Sequence, residues 1–297
     1  MEKQYVVLVR RAAMFAIAVA CFLILLKAFV WWKTGSITML AAMTDSVLDL
    51  FASLVSMFVL KFALQPADEN HAFGHGKAES LAAIAQSAFI SGSAIFILLQ
   101  GFHKLTNPQL IEDSQLGILV SIISIIVTAA LVIYQKKVVK LTQSPAIQAD
   151  SLHYQTDLLM NVAILIAMVL NLFGLIYADA IFAILIALYI AFNALKMLWE
   201  AVNILLDIAL PPEEIDQIVM MATKHPNIIG VHDILTRRSG AVRFIQMHLE
   251  LADHLTLLEA HDIADSLEQK ILAAFPMSEV IIHQEPTSVV QQERKKA

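Results

Sequence analysis

Cysteine is nearly absent. Cys21 is the one thiol in 297 residues and lies within an apolar run, which excludes a disulfide framework and any cysteine-based metal motif; it is expected to be a small buried side chain. Charge is sparse too: 15% of residues are charged, and a net charge of −6 offers no basic footprint for nucleic acid, so that partner is dropped. A nucleotide loop is missing. Gly74-His-Gly-Lys77 has the ending of a phosphate loop, but His71 stands where the earlier glycine belongs and Ala78 where Ser or Thr belongs. The zinc-protease motif is also missing: HYQTD, beginning at His153, lacks the glutamate of H-E-x-x-H that would serve as general base, and no equivalent occurs elsewhere. An intramembrane metalloprotease, and enzyme chemistry with it, is therefore set aside.

The chain has apolar length in excess. A hydrophobic fraction of 58% and a mean hydropathy of +0.70 mark a membrane protein. Six runs, near 12–32, 38–62, 80–101, 115–135, 147–172 and 177–200, reach the roughly 20 residues that a bilayer requires. The first follows Lys3, Arg10 and Arg11 as a signal peptide would, but Ala12–Trp32 exceeds an h-region of about 7–15 residues and is read as a true span. An even number of spans puts both termini on one side. Lys3, Arg10, Arg11, Lys61, Lys77, Lys136, Lys137, Lys140 and Lys196 fall on that side, against Lys33 and Lys104 in the opposite loops, so both termini are expected to be cytoplasmic. Trp31, Trp32 and Tyr134 suit interfacial anchoring, and Lys27 is read as snorkelling or paired, with no part in the site. In the third span, Ala88-xxx-Gly92 predicts close helix packing.

Within this apolar background, a few polar residues are placed with regular spacing. The second span carries Asp45 and Asp49, and the fifth carries His153 and Asp157 with Asn161 continuing the face. Carboxylates inside a membrane helix are costly and mark a task, and residues four apart share one face. Two helices each presenting two ligands predict a four-coordinate site for a divalent metal within the membrane. Ser144-Pro145 reads as an N-cap followed by proline at the first helical position; Asp150, one turn before His153, is read as solvated at the membrane surface. Between the second and third spans, Asp68, His71 and His75 crowd around two glycines, a spacing compatible with a metal site and equally with a solvated turn.

Beyond Asp207 the periodicity becomes that of a small hydrophilic domain holding half of the acidic residues. It reads helix (212–224), strand (229–237), turn at Arg238-Ser239-Gly240, strand (242–251), helix opened by a Thr256/Glu259 capping box, and strand (278–285). Pro286 ends it, and the polar residues 287–297 are expected to be disordered. Alternation puts His248 on the face opposite Ile245, Met247 and Leu249, and places His283 with Glu285; His232 and His261 add further candidate ligands. The domains expected are therefore a six-span region, 1–207, a cytoplasmic domain, 208–286, and a tail.

Asp45-xxx-Asp49, His153-xxx-Asp157, six spans and an αββαβ terminal domain together resemble the cation diffusion facilitator family, and in particular its bacterial zinc and ferrous-iron exporters. The loop residues Asp68, His71 and His75 and the terminal His232, His248, His261 and His283 match that subgroup, whereas Glu285 stands where its members commonly have aspartate. The resemblance implies a polytopic inner-membrane protein with a six-helix bundle and a ferredoxin-like cytoplasmic domain. It also implies a homodimer, an intersubunit charge interlock of Lys77 with Asp207, and export of Zn2+, with Fe2+, Cd2+ or Mn2+ as other cargoes, in exchange for protons. A metal-gated channel or sensor would use the same ligands without obligatory proton exchange. Nitrogen and oxygen ligands do not rank these metals.

Overall fold

The structure, a computed structural model, describes residues 2–35, 37–106, 115–173, 175 and 177–295. Six long helices come first: α1 (Glu2–Thr34), α2 (Ile37–Ala63), α3 (Ala78–Thr106), α4 (Gln115–Thr142), α5 (Pro145–Leu172) and α6 (Ala178–Leu205). Among the described residues, five of them (all but α5) hold a stretch long and apolar enough to cross a membrane. The other, α5, is a 28-residue helix interleaved with polar residues, and it packs against α2, α3 and α4. Its start is as expected, with the Ile147 amide donating to Ser144 Oγ. The chain divides into one compact unit, Lys3–Val202, and a second built from Asn203 onward, five residues before the expected boundary.

Small side chains set the packing of the first unit. Ala83, Ile90 and Ala94 of α3 meet Ala149 and Leu152 of α5 and Ile190, Ala194, Met197 and Ala201 of α6, while Ala16, Val19 and Leu23 of α1 meet Leu131 and Val132 of α4 and Tyr154 of α5. Ala88 and Gly92 are not at a contact. Both are exposed, and a Cβ at Gly92 would meet nothing; the close approach lies at Gly101, where a Cβ would come within 2.7 Å of Ile184 Cγ1 on α6. Cys21 is likewise exposed, facing out from its helix and not in toward the core.

The second unit contains α7 (Pro212–Thr223), β1 (Gly230–Ser239), β2 (Val242–Leu251), α8 (Leu257–Ala274), β3 (Ser278–Pro286) and α9 (Thr287–Arg294). The sheet order is β1-β2-β3, with β1 and β2 antiparallel and β2 and β3 parallel. Ile218 of α7, Ile245, Met247 and Leu249 of β2, and Ile263, Leu267 and Ile271 of α8 form its core, so both helices cover one face of the sheet. The β1–β2 turn is tighter than expected: Ser239 pairs with Val242, leaving Gly240-Ala241 as a two-residue hairpin loop with Gly240 at φ 58. The tail is also corrected. Residues 287–294 form α9, because Thr287 Oγ1 donates to Leu251 O at 3.0 Å, the Ser288 amide donates to Asp253 at 3.0 Å, Val290 is buried and Arg294 reaches Glu250 at 3.3 Å. Residues 296–297 lie outside the described residues.

The capping box on α8 forms in full. Thr256 Oγ1 accepts from the Glu259 amide, and Glu259 Oε2 accepts from the Thr256 amide at 2.8 Å. These bonds hold the Glu259 carboxyl below its ordinary pKa. Thr256→Ala should cost about 1 kcal/mol, checked by hydrogen exchange of the amides in the first turn of α8, which should exchange faster while those of α7 do not change.

Candidate metal centres

Asp49 on α2 meets His153 and Asp157 on α5. His153 Nε2 lies 3.0 Å from Asp49 Oδ1 and 3.8 Å from Asp157 Oδ2, with the His153 side chain 9% exposed. The ligand atoms of these residues all fall within 4.8 Å of one another, close enough to share one ion. Asp45 does not join them and is exposed. The reason is geometric: Cβ atoms four apart on a helix are separated by about 6 Å, and His153, which contacts both Asp49 and Asp157, bridges those two and not the Asp45–Asp49 pair. Asn161 is also outside the group, its Nδ2 donating to the Asp157 backbone carbonyl at 2.7 Å.

Asp150 is not solvated. It is 1% exposed and accepts from Gln135 Nε2 of α4 at 2.6 Å, Ser53 Oγ of α2 at 3.4 Å and Gln86 Nε2 of α3 at 3.5 Å, so one carboxylate joins four helices one turn from His153. The spacing 150, 153, 157 places it on the ligand face, a signal visible in the sequence. Asp150→Ala takes the acceptor from the buried Gln86 and Gln135 amides, while Ser53 keeps Tyr154, and should cost about 1–3 kcal/mol. Thermal unfolding of the purified protein would check this, with Asp150→Asn expected to retain part of the stability.

The loop before α3 gathers a second group. Asp68 Oδ1 lies 3.2 Å from His71 Nδ1, and Asp68 Oδ2 lies 3.4 Å from His75 Nε2. His75 is buried, with Nδ1 3.2 Å from Pro66 O. A carbonyl only accepts, so Nδ1 donates to Pro66 and Nε2 is the atom turned toward Asp68, the arrangement in which a backbone carbonyl orients a histidine ligand. The backbone amide of His71, then that of Asn70, holds the Asp68 carboxyl below its ordinary pKa and so keeps it anionic. Gly74, at φ 75, makes the turn that returns His75 toward Asp68.

The sheet assembles a third group. His232, His248 and His283 are direct register partners across β1, β2 and β3, forming one row. Glu285 closes it, with Oε2 2.9 Å from His232 Nε2 and Oε1 3.3 Å from His248 Nδ1 and 3.5 Å from His283 Nε2. Glu285 Oε2 makes no aligned hydrogen bond despite its approach to His232, which is the relation of two ligands aimed at a common point. A bulge after His232, with Asp233 at φ 48, brings Asp233 within 3.9 Å of His248. His261 is not part of this group. It lies exposed on α8, which covers the core face, so within one protomer the sheet separates it from the row.

The two residues of the expected interlock fall in different units. Lys77 immediately precedes α3. Asp207 follows α6 with φ 59, and its carboxylate lies 3.6 Å from Arg237 Nη1 within its own unit.

Known proteins align with both units. Residues 13–206 match the family model for the cation efflux transmembrane domain, and residues 210–287 match that for the cation efflux protein cytoplasmic domain, ZT_dimer. The chain is 53% identical to the cation-efflux pump FieF of Yersinia enterocolitica over 294 residues, covering 99% of this chain and 98% of that one. Identity to the FieF of Yersinia pestis (strain Pestoides F) is 52% over the same length, with the same coverage. Among solved structures it is similar to the metal-bound C-terminal domain of the CzcD transporter from Thermotoga maritima, with 28% identity, 25% of this chain and 87% of that chain covered, and a TM-score of 0.24. These relatives are transporters and not enzymes. With models matching both of its units and full-length relatives at 52–53% identity, the chain belongs to the cation efflux family.

Proposed function

We propose that this protein exports divalent metal cations, with Zn2+ or Fe2+ as principal cargo and Cd2+ and Mn2+ also accepted, from the cytoplasm across the inner membrane in exchange for protons. The observation that carries this reading is the convergence of Asp49, His153 and Asp157 inside the helical unit. Ligands of this kind must shed protons to bind a metal and can take them back when it leaves, so metal and protons compete for one centre. Asp45, one turn along α2, becomes the fourth ligand when an ion offsets its repulsion from Asp49. Alternating exposure of that centre to the two sides completes the cycle.

The protein acts as a homodimer with both termini in the cytoplasm. His232, His248, His283 and Glu285 bind metal as a regulatory group that favours the transport-competent dimer; Asp68, His71 and His75 hold a further ion at the membrane surface, and Lys77 and Asp207 tie the protomers together. Proteoliposomes containing a pH dye and an external zinc pulse test the exchange. Zinc movement should be accompanied by opposite proton movement, should follow an imposed pH gradient and should ignore ATP. Zinc flux with no proton counterflow would leave a metal-gated channel in place of an exchanger.

A further inference from the structure

Lys27 lies in the C-terminal third of α1, within the membrane-spanning part of the chain, and its ammonium turns to the neighbouring helix. Its Nζ donates to Ser46 Oγ at 2.7 Å and to the backbone carbonyl of Ala42 at 3.1 Å, both on α2. Ala42, Ser46, Asp49 and Ser53 follow one another at helical spacing, and Ser46 and Ser53 are buried. They form one inward-facing polar stripe, with Lys27 at its N-terminal end, Asp49 in the middle and the Asp150 cluster against Ser53 at the other end.

Both of these hydrogen-bond partners are neutral, so the bonds position the ammonium without cancelling its charge. Asp45 adjoins Ser46 in the chain and Asp49 follows it by one helical turn, so the ammonium is anchored between the two carboxylates of α2. The charge count is informative. Three ionised aspartates with one divalent ion carry a net charge of −1, and a fixed lysine brings that to zero, the condition a low-dielectric interior favours. We infer that Lys27 is a resident counter-charge of the membrane metal centre, offsetting its third carboxylate so that a bound divalent cation is held loosely enough to leave. It acts on affinity and release without being a ligand. This inference rests on the reading of the membrane centre as the cargo site. In the expected topology α2 enters from the non-cytoplasmic side, which places Lys27 on the side toward which cargo departs.

The test measures zinc binding to the full-length protein in detergent by competition with a chelating dye, taking as membrane-centre binding the part lost in Asp157→Ala. Lys27→Met keeps the length of the side chain and removes its charge; Lys27→Gln serves the same purpose with a polar end, and Lys27→Arg keeps the charge. Removing a unit charge beside the centre should tighten zinc binding there by about tenfold or more. It should also lower the maximal efflux rate in proteoliposomes, with a fall in KM. Lys27→Arg should remain near wild type in both. A merely structural lysine would lower rate and binding together and would not be rescued by arginine. Unchanged or weaker binding in both neutral variants, with Asp157→Ala still removing a site, overturns the counter-charge alone. If Asp157→Ala removes no binding, the membrane centre itself fails and this inference fails with it.

Discussion

Asp157→Ala and Asp49→Ala should each reduce metal efflux from proteoliposomes to the leak of protein-free vesicles, while the purified variants remain folded and monodisperse. Each substitution removes one proposed ligand and one carboxylate from a group of three whose atoms lie within 4.8 Å of one another. Even partners outside the ligand shell cost about 10–100-fold in affinity when lost, so a ligand itself should cost at least that. Stability should move in the other direction or not at all, because a buried carboxylate facing a second carboxylate is unfavourable until an ion arrives. A loss of transport together with loss of fold would make these residues structural; wild-type flux in either variant would remove the membrane centre from the mechanism. His153→Asp provides a companion test. Replacing the one nitrogen ligand by oxygen should shift preference from zinc toward harder ions such as manganese, read as relative initial rates.

The six helices were legible because each is a long apolar run bounded by polar residues, and the ligand pairs were legible because a charge in such a run needs a reason. The face of the second strand was readable from alternation alone: His248 opposite the face of Ile245, Met247 and Leu249 is where the structure has it, whereas the pairing that lines it up with His232 and His283 was not. Three kinds of information were not available from spacing. Asp150 looked like a surface residue because its position near the start of the fifth helix suggested water, whereas its surroundings are set by Gln86 and Gln135, far away in sequence. Asp45 looked equivalent to Asp49 because helical periodicity fixes a face but not a rotamer, and His153 joins Asp49 to Asp157, not to Asp45. The tail looked disordered because its composition is polar, yet Val290 and Arg294 find partners that only the folded sheet provides.

The largest effect expected in the second unit is at His248. It is the middle member of the row, paired in register with His232 on one side and His283 on the other, and its ring centroid lies 5.4 Å and 4.7 Å from theirs. No other histidine of the row touches both neighbours, so any ion held there by two or more of these rings includes His248 or lies beside it. In a chain that also carries Asp157→Ala and His75→Ala, so that the other two centres do not contribute, His248→Ala should weaken the remaining zinc binding by about a hundredfold or more. His261→Ala should have a smaller effect in a monomeric preparation, because the sheet lies between that residue and the row. Glu285→Asp shortens the arm that now brings Oε2 within 2.9 Å of His232, and it should bind at least as tightly as wild type by fixing the carboxylate more firmly. Since an ion that binds only the assembled state stabilises that state by mass action, zinc should also raise the unfolding temperature of the dimer in proportion to the affinity retained. Equal zinc stabilisation of wild type and His248→Ala would return the row of histidines to ordinary surface residues.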